Sequence, residues 1–216
     1  MKTILAGAAF LLSLASCEIK VGNKVNKEQT AQEETKPQEE VKQTLDFPLE
    51  TTFSKEYLLE NFWRCTYDSA GESLAYWVVL PKNVKPTNIK PQTIKNLGLT
   101  FTGDYSTVDK SDYLEVQVGY ETLSAAEQPG EWLKGKLTLM HDKILNQNVI
   151  RTKDGEEYLD VLTSRALKNG DRIISRVNVL KNGLNYFIIR VSCDEKVYKN
   201  LAQTIFHTST TWGLKS

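Results

Sequence analysis

The sequence predicts an α+β domain, in which an antiparallel sheet runs as a meander and a middle helix and a C-terminal helix pack against it. In the second half of the chain, apolar runs typical of strands follow one another rather than alternating with helices, and this order indicates an antiparallel sheet. Dipeptides typical of tight hairpin turns separate these runs. The three turns are Asp154-Gly155, Asn169-Gly170 and Asn182-Gly183.

The folded part is predicted to begin near Phe47 with a short helix. Ser54 is a candidate N-cap, and Leu58, Leu59 and Phe62 then share one helical face. Three strands follow, the first of them ended by a proline. These predicted strands are Leu74–Leu80, Leu97–Phe101 and Tyr113–Tyr120.

After Pro129-Gly130 the apolar spacing becomes helical, which predicts an amphipathic helix of about fifteen residues from Trp132 to Leu145. Apolar residues spaced for one helical face also predict a closing helix from Lys196 to about His207. Between these two helices the meander has four predicted strands. They are Val149–Thr152, Tyr158–Ser164, Arg172–Leu180 and Asn185–Ser192. Residues 47–216 are therefore predicted to form a single domain.

The first residues of the chain have the pattern of a secretory signal. Lys2 supplies a positive charge, and an apolar run from Ile4 to Leu14 ends in small residues. This run is too short to span a bilayer. Residues 1–16 are therefore predicted to be a removable signal peptide.

The four residues that close this segment, Leu14-Ala15-Ser16-Cys17, resemble the lipobox of bacterial lipoproteins. The resemblance implies that Cys17 becomes the acylated first residue of the mature chain and holds it in a lipid bilayer. The alternative is an ordinary signal peptide with an incidental cysteine.

Residues 17–46 are predicted to be the lipidated cysteine followed by a disordered tether. The stretch is rich in Glu, Lys and Gln and has no aromatic residue, so it offers little apolar surface to offset the entropy of ordering. A charged helix is the alternative, because Glu and Lys also favour helices.

The order of early strands, middle helix, four meandering strands and C-terminal helix resembles the PsbP-like α/β/α sandwich. This fold occurs in the extrinsic subunit of photosystem II and in bacterial envelope proteins and lipoproteins. The resemblance covers roughly Phe62 to Trp212, including the closing segment Ala202-Gln203-Thr204-Ile205-Phe206. It implies a fold but no single function, because this scaffold carries binding roles in unrelated systems.

Two cysteines and two tryptophans are candidate site residues. Once Cys17 is lipidated, Cys65 and Cys193 remain, and outside the cytoplasm such a pair is a candidate disulfide. The alternative is two small buried side chains. Trp63 and Trp212 lie at the two ends of the domain, where either is a candidate exposed contact for a partner. Their alternative role is packing against the sheet.

Composition and motifs argue against several functions. The chain has 27 basic residues (Lys and Arg) and 27 acidic residues (Asp and Glu), and the basic residues do not cluster. This disfavours a nucleic-acid partner. Two histidines without metal-ligand spacing predict no metal site and no cofactor. Neither a Gly-x-Ser-x-Gly elbow nor a P-loop occurs, so we expect no enzyme activity.

These observations together predict a non-catalytic envelope lipoprotein that serves as an accessory subunit of an envelope or secretion assembly. Its expected partners are the lipid bilayer, through acylated Cys17, and another envelope protein. Its expected location is the outer membrane, facing the periplasm. The alternatives are a periplasmic hydrolase that acts on cell-envelope material and a small-ligand carrier.

Overall fold

The computed structural model describes residues 45–68, 74–88, 90–109 and 113–215, which belong to one compact unit. The predicted signal peptide, Cys17 and all but the end of the predicted tether lie outside the described residues. Among the residues described, no helix is both long enough and apolar enough to cross a membrane.

Eight strands form the larger sheet, and every neighbouring pair in it is antiparallel. In chain order they are β3 (Val84–Asn88), β4 (Gln92–Ile94), β5 (Leu99–Thr107), β6 (Leu114–Thr122), β7 (Lys143–Arg151), β8 (Glu157–Ala166), β9 (Arg172–Asn182) and β10 (Asn185–Asp194). Across the sheet the order is β3-β5-β6-β10-β9-β8-β7, and β4 pairs with β5. The turns of the β7–β10 meander contain Gly155, Gly170 and Gly183 at positive φ, which glycine adopts without a Cβ penalty.

The remaining elements are a small sheet and three helices. The small sheet has the order β1-β2-β11. Its strands are β1 (Phe62–Tyr67), β2 (Tyr76–Pro81) and β11 (Trp212–Leu214). The helices are α1 (Lys55–Asn61), α2 (Pro129–Leu139) and α3 (Glu195–Thr210).

The larger sheet has an apolar core on each of its faces. Strand β10 is central, and its consecutive residues Ile188 and Ile189 belong to different cores because neighbouring side chains of a strand point to opposite faces. Helix α2 packs on the Ile188 side, where Leu133 and Leu137 are buried. Helix α3 and the small sheet pack on the Ile189 side. The predicted α+β class and its antiparallel meander are confirmed.

The middle helix is shorter than its apolar spacing predicts. It ends at Leu139, and His141 then adopts φ 59°, which turns the chain out of the helix. Ile144 and Leu145, predicted to be helical, instead lie in β7. Ile144 still packs against the α2 core. Its helical spacing was therefore misleading, because the chain turns between the helix and Ile144.

Candidate functional site

Helix α1 is a short helix attached mainly at its ends. The Ser54 hydroxyl accepts a hydrogen bond from the Tyr57 N–H at 3.2 Å, and the Lys82 N–H donates to the Asn61 carbonyl at 2.8 Å. None of its residues is buried, and Leu59 is 70% exposed. Because apolar surface exposed in this way is not part of a core, α1 presents it to the surroundings.

Several aromatic rings pack together beside helix α1. The Phe53 ring stacks on Tyr57 with centroids 4.6 Å apart. The ring of Phe62, the first residue of β1, lies edge-on to His207 of α3 at 4.9 Å. Residues from α1, β1 and α3 therefore meet at one place on the surface.

A cavity of about 360 Å³ opens beside this helix, and we call it the α1 groove. Its apolar lining consists of Leu58, Leu59, Phe62, Trp63 and Val79. Its remaining lining residues are basic or imidazole side chains, namely Lys55, Arg64 and His207. The groove thus combines an apolar floor with nitrogen-bearing side chains.

A second cavity of about 310 Å³, the Lys82 cavity, shares Phe62 with the groove. It has a mixed lining that includes Asn61, Lys82, Thr204 and Leu201. Among the residues described, no aspartate or glutamate lines either cavity. The whole chain has equal numbers of acidic and basic residues, yet the charged side chains that line these two cavities are all basic.

The two candidate tryptophans differ in accessibility. Trp63 is half-buried, lines the α1 groove and packs against the core, and the Lys85 ammonium lies 5.8 Å from its ring centroid. Its indole nitrogen is buried and has no hydrogen-bond partner within the described ranges. Trp212 is only 8% exposed and belongs to the core. Of the pair, the structure brings only Trp63 to the groove.

Comparison with known proteins finds similar solved structures but no sequence match. No protein-family model matches the chain, and no curated protein matches its sequence. The solution structure of cyanobacterial PsbP (CyanoP) from Synechocystis sp. PCC 6803 matches with a TM-score of 0.50 at 11% identity, over 72% of this chain and 93% of that one. The fold is PsbP-like. LpqN of Mycobacterium tuberculosis, described as involved in cell envelope biogenesis, has a TM-score of 0.43 at 11% identity, over 74% of this chain and 96% of that one.

Both cysteines of the PsbP-like domain are free thiols in the structure. The Cys65 thiol lies 3.9 Å from the Tyr105 hydroxyl, and Cys193 is buried near the end of β10. Burial raises the pKa of the Cys65 thiol and raises that of Cys193 to about 12, so both remain protonated at neutral pH. The Cys65–Cys193 disulfide stays a prediction, which mass measurement with and without reductant would check.

A carboxyl pair lies elsewhere in the PsbP-like domain. Asp104 of β5 and Glu115 of β6 are diagonal neighbours across the two strands. Burial raises the pKa of both carboxyls, and the charge of Asp104 raises that of Glu115 further. Neither residue lines the α1 groove or the Lys82 cavity.

Sequence reasoning identified Trp63 but missed the other residues that form the groove with it. Leu58, Leu59 and Phe62 were predicted to share one helical face but were not predicted as site residues. Leu59 is exposed, and Phe62 lies outside the helix as the first residue of β1. Arg64 and Val79 come from β1 and β2, while His207 comes from α3. No local signal marked Arg64, because the sequence did not predict the strand β1 on which it lies.

Removing the N-cap should loosen α1. Ser54→Ala should cost about 1 kcal/mol of helix stability, because the Tyr57 N–H loses its acceptor. Since α1 buries no residue, we expect faster amide exchange confined to α1. Ser54→Asp, which keeps an acceptor at the N-cap, is the control and should exchange like the natural chain. Unchanged exchange in Ser54→Ala would contradict this view of α1.

His207 should make stability depend on pH. Burial lowers the pKa of His207 below the ordinary value of 6.5. As pH falls below 6.5, His207 binds a proton in the unfolded chain but stays neutral in the folded domain. The free energy of unfolding therefore decreases below this pH. The free energy of unfolding, measured in urea at several pH values, should therefore fall less on acidification in His207→Gln than in the natural chain. Parallel curves for the two proteins would show that His207 is not responsible.

Proposed function

We propose that this protein is a non-catalytic binding subunit of the bacterial cell envelope, held to a membrane by acylated Cys17, and that it docks another envelope protein at the α1 groove. The observation that supports docking is the groove itself, whose apolar lining includes the exposed Leu59. Exposed apolar surface with a polar rim is typical of interaction sites.

The proposed anchor and tether would hold the groove near binding partners in the same membrane. The lipobox resemblance at Leu14–Cys17 supports lipidation. A flexible tether of this length has a root-mean-square span of roughly 30 Å. It would keep the groove at a high effective concentration near partners in the same membrane without fixing its orientation. We place the protein at the outer membrane, facing the periplasm.

The anchor is tested by changing the acylated residue. Cys17→Ser should move the protein from the detergent phase to the aqueous phase when cell extracts are partitioned with detergent. The reason is that the variant has no residue to carry the acyl chains that are proposed to hold the protein in the bilayer. Cys65→Ser is the matched control and should stay with the detergent. Retention of Cys17→Ser in the detergent phase would refute the anchor.

The docking site is tested by crosslinked pull-down of the lipidated protein from its own envelope. Leu59→Ser should reduce recovery of a specific partner about tenfold, as expected for the loss of a central apolar contact. Leu59 is largely exposed, so the substitution should not unfold the domain. Leu184→Ser, at an exposed hairpin position away from α1, is the control. Recovery of only abundant outer-membrane proteins, or equal recovery with both variants, would contradict docking at this groove.

A further inference from the structure

We infer that the segment that docks in the α1 groove is a protein segment with acidic side chains beside apolar ones, an inference that rests on the proposed function. The groove and the Lys82 cavity contain Lys55, Arg64 and Lys82, and no aspartate or glutamate from the described residues lines them. A negatively charged ligand would therefore meet cations on both sides of Phe62 without a repelling carboxylate in the lining.

The cations around the groove are available for a ligand. Elsewhere on the surface, lysines pair with acids, as in Lys134–Glu131 at 2.8 Å and Lys196–Asp171 at 2.8 Å. Within the described part of the chain, no ion pair involves the four cations at the groove and its edge. These four are Lys55, Arg64, Lys82 and Lys85.

Two of these cations are held over aromatic rings. The Arg64 guanidinium carbon lies 4.3 Å from the Trp77 ring centroid, and the Lys85 ammonium lies 5.8 Å from that of Trp63. A guanidinium stacked on a ring keeps the N–H groups at its edge free to bind a carboxylate in a fork. The stacking therefore orients the charge without neutralising it.

Opposite charge alone would not be enough for a ligand to fill the groove, because the floor of the groove is apolar. Leu58, Phe62 and Val79 offer no hydrogen-bonding side-chain group to a ligand, so they favour apolar side chains. A segment with carboxylates flanking a hydrophobic residue would satisfy both parts of the surface. The two acids of α1, Glu56 and Glu60, line neither cavity, and they would repel a segment that docked on the opposite side of the helix.

The shape of the surface favours a protein segment over a membrane. The site is a cavity of about 360 Å³, and Phe62 in its floor is only 7% exposed. Of its apolar lining residues only Leu59 is exposed, whereas a membrane-binding surface needs several apolar groups that project into the lipid interface. A membrane is accordingly the competing outcome of the test.

The test uses the full lipidated protein in phosphatidylcholine nanodiscs and three short synthetic peptides labelled with fluorescein. One alternates Glu and Leu, one alternates Lys and Leu, and one alternates Glu and Ser. Fluorescence anisotropy should show that the Glu/Leu peptide binds at least about tenfold tighter than the other two, and that added salt weakens its binding.

Charge reversal at the groove supplies the specific control. The double variant Lys55→Glu/Arg64→Glu should lose the preference for Glu/Leu and gain affinity for Lys/Leu. Lys153→Glu/Lys168→Glu changes the net charge equally at exposed positions in two hairpin turns and should keep the preference of the natural chain. Lys55→Gln/Arg64→Gln tests the same cations without adding repulsion and should remove the preference.

The outcomes separate this inference from the proposed function. Equal binding of the Glu/Leu and Lys/Leu peptides, or a preference that survives charge reversal, would overturn the acidic-segment inference, even if Leu59→Ser still abolished partner capture. Retained peptide preference with undiminished capture by Leu59→Ser would instead overturn docking at the groove. If charge reversal instead changed only the affinity of unacylated Cys17→Ser protein for nanodiscs that contain phosphatidylglycerol, and left peptide binding unchanged, a membrane surface would be the occupant and the inference would be wrong.

Discussion

Replacing Arg176 by alanine should lower the free energy of unfolding by about 3–5 kcal/mol, because it leaves a buried carboxylate without its partner. Arg176 is fully buried, its Nε donates to Asp160 Oδ1 at 2.8 Å, and its Nη2 contacts the other carboxylate oxygen. Its Nη1 donates to the Pro48 carbonyl at 2.7 Å. The guanidinium carbon also lies 4.3 Å from the ring centroid of Phe47 and 4.6 Å from that of Phe206.

Urea denaturation would measure this loss, with an exposed ion pair as the control. Arg172 pairs with Glu195 at 3.1 Å, and both side chains are much more accessible, so Arg172→Ala should cost no more than about 1 kcal/mol. The double variant Arg176→Met/Asp160→Leu should recover much of the stability, because it removes both charges together. Equal losses for Arg176→Ala and Arg172→Ala would show that burial of the pair is unimportant.

The second large effect is expected on the opposite face of the larger sheet. Two nitrogens of Arg190 lie 3.1 Å from the two carboxylate oxygens of Asp142, and both side chains are buried. Arg165 approaches the same carboxylate at 3.9 Å. Asp142→Ala would therefore leave a buried guanidinium uncompensated beside another cation, and we expect a loss of about 3–5 kcal/mol.

An aspartate that is much more accessible than Asp142 provides the comparison. Asp171 pairs with Lys196 at the surface, so Asp171→Ala should change the free energy of unfolding by about 1 kcal/mol or less. Asp142→Asn keeps the shape of the side chain but removes its charge, and it should fall between the natural chain and Asp142→Ala. If Asp142→Ala unfolded at the same urea concentration as Asp171→Ala, the buried pair would make no net contribution to stability.

Much of the fold was predictable because its signals are local. The three turn dipeptides and the strands of the meander were read from neighbouring residues, and those turns contain glycines at positive φ. Ser54 was likewise predicted as an N-cap, and its hydroxyl does accept from the Tyr57 N–H. The short strands β3, β4 and β11 were missed, since three to five residues carry too little periodicity to stand out. Strand β1 was missed as well, because its first residue, Phe62, was assigned to the face of the preceding helix.

The groove could be predicted only in part. Trp63 was a candidate contact residue from its place in the sequence, but Trp212 was an equal candidate. The structure separates them because Trp212 pairs with Val78 in the small sheet and is covered by the core. Exposure of a large side chain depends on what packs over it, and local spacing carries no information about that.

The sequence by itself predicted the α+β class and the positions of the meander turns, and it carries the lipobox resemblance on which the proposed attachment at Cys17 rests, since each depends on residues that are close along the chain. Only the tertiary structure decided which charges are paired in the interior and which remain available at the α1 groove. Arg176 meets Pro48, and Lys55 shares a cavity with His207, across separations that no local pattern encodes. Packing of distant elements is the physical reason, because it sets burial, and burial determines both the cost of an unpaired charge and the surface left for a partner.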